Sequence, residues 1–274
     1  MLKPPGWEMM IVVYFFLGGI AGGAYFTAAI ADNFGGRRDR QVAKIGYLLS
    51  LPLVALCGLL LIGDLGVPSR FLNMMRVFKF WDPMSIGAWV VGVFGLFTFV
   101  SSVLSFSEAP TTVALRRKIG LVGMLFGFFL ASYTGVLLSN TALPFWSQAR
   151  LMGALFLASG ASTGMAAISL ILFLTGATAG EAWGKVKKAD RFSMIFEIVV
   201  LAVFLVLLGA AAKPMISGHF APLFWGGLVV VGLLVPLALD VLGHHAKALG
   251  AVAAVLVLAG GFVLRYVVLM SMHA

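Results

Sequence analysis

Apolar stretches of about 20 residues recur from one end of this chain to the other, and no polar segment is long enough for a soluble domain. A helix rising ~1.5 Å per residue needs about 20 apolar residues to cross a hydrocarbon layer of ~30 Å. Backbone polar groups in that layer must be satisfied within the segment, so apolar runs of this length are helices. The runs read as helices at about 8–31, 41–64, 84–106, 116–138, 150–177, 191–210, 224–241 and 248–270. The expected fold is an all-α integral membrane protein with eight transmembrane helices, one membrane domain over residues 1–274. Of the 274 residues only 11% are charged, against about a quarter in a soluble domain. The first run follows a single basic residue, Lys3, and exceeds a signal-peptide core in length, so it is read as a helix.

The formal net charge of +9 does not point to nucleic acid, because the basic residues sit in short loops between apolar spans. There they set orientation. Loops after the first, third, fifth and seventh spans hold Arg37, Arg38, Arg40, Lys44, Arg116, Arg117, Lys118, Lys185, Lys187, Lys188, Arg191 and Lys247, 12 in all. The opposite side holds six: Lys3, Arg70, Arg76, Lys79, Arg150 and Lys213. The richer side is expected in the cytoplasm, with both termini outside the cell inner membrane. The outer loops are also the aromatic ones, with Phe80-Trp81 and Phe145-Trp146, and with Trp7 and Phe224-Trp225 at the same level. Such a belt marks a membrane interface or receives a partner protein.

Small residues form ladders in the first span (Gly18, Gly19, Gly22, Gly23) and in the fifth (Ser159, Gly160, Ser162, Thr163, Gly164). Residues of this size let helices approach closely. The two ladders fit either a duplicated four-helix unit or ordinary helix packing.

Ionisable groups within the membrane are costly, which makes each a functional candidate. Asp64 ends the second span at the outer side, Glu197 lies about two turns into the sixth, and Arg265 lies in the outer half of the eighth. Each also has a structural reading: a solvated helix end, an interhelical hydrogen bond and a snorkelling arginine, respectively. Asp240 ends the seventh span and reads as interfacial. Tyr14, Asp64, Tyr133 and Arg265 share the outer depth, where hydroxyl, carboxylate and guanidinium suit a polar ring head. Glu197 is the candidate for a proton route from the cytoplasm.

Other chemistries find no residues to carry them. The lone Cys57 excludes an intrachain disulfide and a cysteine-ligated cluster. The four histidines, His219, His244, His245 and His273, fall in loops or at the terminus, so paired axial ligands for a membrane haem are missing from the spans. P-loop, dinucleotide and hydrolase motifs are absent.

Several segments together resemble the NrfD/PsrC family, the membrane subunits of polysulfide-reductase-like complexes. They are Gly18-Gly19-Ile20-Ala21-Gly22-Gly23, then Asp64-Leu65-Gly66-Val67-Pro68-Ser69-Arg70-Phe71, then Ser132-Tyr133-Thr134-Gly135 running on to Asn140, Pro144 and Trp146. Ser159-Gly160 with Gly164, and Gly260-Gly261 with Leu264-Arg265-Tyr266, complete the set. The resemblance implies two four-helix bundles, with halves at 1–140 and 141–274, and no haem. It implies a quinone or quinol site (menaquinone or ubiquinone) at the outer end of the first bundle. It further implies docking to a ferredoxin-like iron–sulfur subunit that serves a catalytic subunit, often a molybdopterin enzyme. Tyr133 matches the family's quinone-contacting tyrosine, and Asp64 the acidic residue beside it; these are the candidate catalytic groups. Tyr14 stands where polysulfide reductase has a histidine, and Ile11 where it has an asparagine. Tyr14 and Arg265 complete the expected head-group contacts.

The leading functional expectation is therefore a quinone-reactive electron-transfer subunit, not catalytic alone. Buried acids and an arginine among glycine-rich helices also suit a secondary transporter. A third reading is a structural anchor for peripheral enzymes.

Overall fold

The computed structural model describes residues 9–65, 69, 71–76, 78–79, 81–140, 146, 149, 151–177, 181–242 and 247–271. Eight helices are long and apolar enough to cross a membrane, and no strand occurs among the described residues. The chain runs through α1 (Met9–Phe34), α2 (Arg40–Gly63), the short α3 (Phe71–Arg76), α4 (Pro83–Leu104), α5 (Pro110–Ser139), α6 (Met152–Leu174) and α7 (Glu181–Leu208). A single turn, α8 (Lys213–Ile216), precedes a π-helical stretch, Leu223–Leu234, which continues as α9 (Val235–Leu242); α10 (Lys247–Met270) ends the fold.

Helix starts follow local chemistry. Asp82 caps α4, accepting the Met84 N–H at 3.1 Å, and Pro83 occupies the first turn, where its missing N–H costs nothing. The α5 helix also opens on proline, Pro110, six residues before the expected start. The α7 helix begins at Glu181, ten residues before the apolar run, because its buried positions Ala182, Val186 and Met194 keep helical spacing through a charged stretch. Glu197 consequently lies about sixteen residues, ~24 Å, into its helix rather than two turns. That depth matches Arg265, ~27 Å from the start of α10.

The α1 helix is the central post, packed against α2, α5 and α6. Its glycines make this possible. A Cβ at Gly23 would run into the Gly160 carbonyl of α6, and one at Gly22 into the Gly127 carbonyl of α5. The two small-residue ladders of the sequence thus face each other across one seam. A second seam brings Gly232 of the π-helical stretch against Gly260 of α10. Around the post, α4 lies against α2 and α5, while α6 contacts α7 and α10.

One end of the molecule carries the basic loops and is tied by ion pairs. Arg116 grips Asp32 through Nε and Nη2, both at 2.7 Å, joining α5 to the last turns of α1. Lys185 reaches Asp39 at 2.8 Å. Lys187 lies 3.4 Å from Asp240, and Arg191 2.7 Å from the same carboxylate. Asp240, expected at the interface, is buried and doubly paired. At the opposite end Trp81 and Trp225 are exposed, as a belt requires. Trp146 is instead fully buried, its indole donating to the Val268 carbonyl at 3.1 Å, because that N–H satisfies a backbone acceptor inside the fold. Trp7, Phe80 and Phe145 lie outside the described residues.

A candidate head-group cavity and a buried polar network

At the end opposite the basic loops, α1, α2, α4 and α5 enclose a mainly apolar cavity of about 260 Å³, with Phe71 of α3 beside its rim. Tyr14, Asp64 and Tyr133, three groups expected at one depth, all line it. The tyrosines are deep, at 2% and 6% exposure, while Asp64 is exposed at the mouth, where it caps the end of α2. The floor between them is small and apolar, with Gly58, Gly87, Ala88 and Gly92.

The two hydroxyls differ in what they offer. Tyr133 donates to the Pro83 carbonyl, so its proton is committed and its lone pairs remain. A Cβ at Gly87 would overlap the Tyr133 ring and hydroxyl, so glycine at this position is what lets the tyrosine lie against α4. Phe129, one turn earlier on α5, stacks on Tyr133 with centroids 5.6 Å apart. The Tyr14 hydroxyl makes no hydrogen bond among the described residues.

Arg265 is not part of this cavity. It is fully buried between α1, α6 and α10, so it does not snorkel. It donates to Ser159 Oγ at 2.9 Å, to the Gly261 carbonyl at 2.7 Å and to the Phe15 carbonyl at 3.2 Å. Gly19 makes room for the guanidinium, since a Cβ there would meet Nη2. Ser162, one turn on from Ser159, donates to Glu197 Oε2 at 2.5 Å. Arginine, two serines and glutamate thus form one buried unit, in which the carboxylate and guanidinium compensate each other's charge.

Below this unit, toward the basic end, stand the buried Asp190 and Lys187. Asp190 precedes Glu197 by seven residues on the same face of α7, and Lys187 lies 3.5 Å from Asp190. Asp190 Oδ1 has no hydrogen-bond partner among the described residues. Ionisable groups therefore line up from Asp240 through Lys187 and Asp190 to Glu197 and Arg265. Asp32, Lys187 and Asp190 do not stand out in the sequence, because the apolar runs end at 31 and resume at 191 and leave all three in loops. Continuing the helical spacing past the charges would have found them. His219 is exposed, and His244, His245 and His273 lie outside the described residues.

The family model described as "Polysulphide reductase, NrfD" matches residues 1–273. The C subunit of polysulfide reductase from Wolinella succinogenes is 30% identical over 300 residues, covering 96% of this chain and 93% of that protein. The NrfD homolog of Haemophilus influenzae is 28% identical, with 84% of this chain and 82% of that protein covered. NrfD of Escherichia coli is 25% identical, with 96% and 93% covered. A match along nearly the whole length, on a helical fold with eight candidate spans, establishes that this chain belongs to the NrfD family of redox-complex membrane subunits.

Proposed function

We propose that this chain is the quinone- or quinol-reactive subunit of a multi-subunit oxidoreductase in the cell inner membrane. It exchanges electrons with a ferredoxin-like iron–sulfur partner on the outer, periplasmic face, which in turn serves a catalytic subunit of the molybdopterin type. The observation that carries this reading is the cavity that gathers Tyr14, Asp64 and Tyr133 in one narrow slot. Helix pairing of α1 with α2 and α5, and of α6 with α7 and α10, supports the division into two four-helix bundles.

The chemistry divides between electrons and protons. Reduction of a quinone takes two electrons and two protons; oxidation of a quinol releases both. Electrons pass to or from the partner's clusters, while this chain's residues position the ring and handle protons. Tyr14 donates a hydrogen bond to a ring carbonyl, and Tyr133, its own proton held by Pro83, accepts from a quinol hydroxyl. Asp64 at the mouth exchanges the proton with solvent. Exposed Phe71, Leu72, Phe78 and Trp81 beside that mouth, with Arg76 and Lys79, offer an apolar and basic platform for the partner. The aligned Asp240, Lys187, Asp190 and Glu197 support a proton route from the basic, cytoplasmic end toward the middle of the membrane. This orientation places both termini outside.

Tyr133→Phe and Asp64→Asn test the assignment in the assembled complex with an artificial quinol. Tyr133→Phe is expected to weaken binding by about 2–10-fold, the worth of one net hydrogen bond. Asp64→Asn is expected to slow turnover more than it weakens binding. Intact complexes that keep wild-type turnover and inhibitor sensitivity in both variants place the pocket elsewhere.

A further inference from the structure

At the basic end, a second and larger cavity of about 1260 Å³ opens between the α1–α2 connection, the α4–α5 connection and the start of α7. Six cationic side chains line it, Arg37, Arg38, Arg40, Lys44, Arg116 and Arg117, against one carboxylate, Glu108. Part of this charge is spoken for. Arg116 is held by Asp32, with Arg117 Nε 3.8 Å from the same carboxylate, and Arg40 pairs with Glu108 at 3.5 Å across exposed surface. Arg37 and Lys44 are exposed, and the Lys44 ammonium lies 4.8 Å from the centre of the Phe106 ring. Arg37 and Lys44 thus leave positive charge at the cavity that suits an anion.

The surroundings indicate which anion. Phe106 lines the cavity and is itself exposed. From it an unbroken exposed apolar stripe runs along α4 through Val103, Phe99 and Leu96, at spacings of three and four residues. Ten residues of helix span ~15 Å, half of the ~30 Å hydrocarbon layer and therefore the reach of one leaflet's acyl chain. Basic pockets at helix ends take phosphate head groups, and an adjoining apolar stripe takes their chains. We propose that this cavity binds the phosphate of an anionic phospholipid, with Lys44 and Arg37 on the head group and an acyl chain along Phe106, Val103, Phe99 and Leu96. The site is separate from the head-group slot at the other end and does not depend on which leaflet faces the cytoplasm.

The full chain, delipidated in detergent, is titrated with phosphatidylglycerol, phosphatidylcholine or inorganic phosphate, and binding is read by native mass spectrometry and by the shift in thermal unfolding. The expected result is a preference for phosphatidylglycerol over phosphatidylcholine of about ten-fold or more, with millimolar phosphate competing only weakly. R37Q/R40Q/K44Q should reduce that preference to within about two-fold, and Lys44→Gln alone should reduce it in the same direction. K118Q/K188Q removes two exposed charges from the same end outside the cavity and should keep the preference. Three outcomes overturn the proposal. One is a preference unchanged in Lys44→Gln and in R37Q/R40Q/K44Q. Another is an equal loss in K118Q/K188Q, which means a diffuse field rather than a site. The third is phosphate binding as tightly as phosphatidylglycerol, which means a soluble anion.

Discussion

Arg116 holds Asp32 with two parallel hydrogen bonds of 2.7 Å each, and both side chains are buried at the basic end of the fold. Arg117 adds its Nε at 3.8 Å from the same carboxylate. Breaking a buried pair from one side strands the other charge. Asp32→Asn should therefore destabilise the chain by about 3–5 kcal/mol, measured by unfolding in mixed micelles. Replacing both members, as in D32L/R116M, should recover most of that loss. A stable single variant would show that water reaches Arg116.

Gly87 sets the position of Tyr133. A methyl group there cannot share space with the phenol, so Gly87→Ala should push the ring into the slot and break its bond to Pro83. Affinity for a competitive quinone-site inhibitor should fall by about ten-fold or more, while complex assembly is retained. Tyr14→Phe, which removes only a hydroxyl, should cost about 2–10-fold. Unchanged inhibitor titrations in both variants would remove these two tyrosines from the site.

The α1–α6 seam predicts a sharp contrast between glycines. At Gly23 a Cβ would lie 2.8 Å from the Gly160 carbonyl carbon and closer still to its oxygen. Backbone cannot yield as a side chain does, so Gly23→Ala should cost about 1–3 kcal/mol and lower the yield of membrane-assembled protein. Gly184, on α7, has nothing within 4 Å of its Cβ position. Gly184→Ala should be neutral or stabilising by up to ~1 kcal/mol, from helix propensity. Thermal unfolding of the two proteins side by side checks the ordering.

A single substitution separates two readings of Glu197, a countercharge for Arg265 and a carrier of protons. Glu197→Gln keeps a hydrogen-bond partner for Ser162 but removes the charge that offsets Arg265. If the aligned acids carry protons, Glu197→Gln and Asp190→Asn should lower proton uptake per quinol turned over, with assembly intact. Full coupling and full turnover in both proteins would leave these residues a structural role only. Loss of assembly confined to Glu197→Gln would assign the carboxylate to Arg265 alone.

Much of the architecture was legible because lipid imposes a simple rule: a long apolar run is a helix. Depth and the family resemblance together single out Tyr14, Asp64, Tyr133 and Arg265, and the first three line one cavity. Arg265 had the right depth and the wrong azimuth, because depth follows from counting residues while azimuth follows from which helix packs on which. Its place was written instead in Gly19 and Ser159, small residues that leave room for a guanidinium and bond it. The charged start of α7 was illegible for a different reason. Hydropathy averages over all faces of a helix, so a stretch that is apolar on one face and ionic on the others scores as a loop. Trp146 looked interfacial because tryptophan often is; nothing near it in sequence announced the Val268 carbonyl from the last helix.

Cys57 is the chain's one cysteine, fully buried in α2, with its thiol directed at the Tyr14 carbonyl at 3.7 Å. Its neighbour Gly58 lines the cavity shared by Tyr14 and Tyr133. Nature has thus installed a single reporter atom beside the slot, and no engineered background is needed to use it. A small apolar maleimide can reach that sulfur only while the first two membrane helices part. Its labelling half-time therefore clocks how often the slot's wall breathes, and a molecule lodged against Tyr14 should lengthen it.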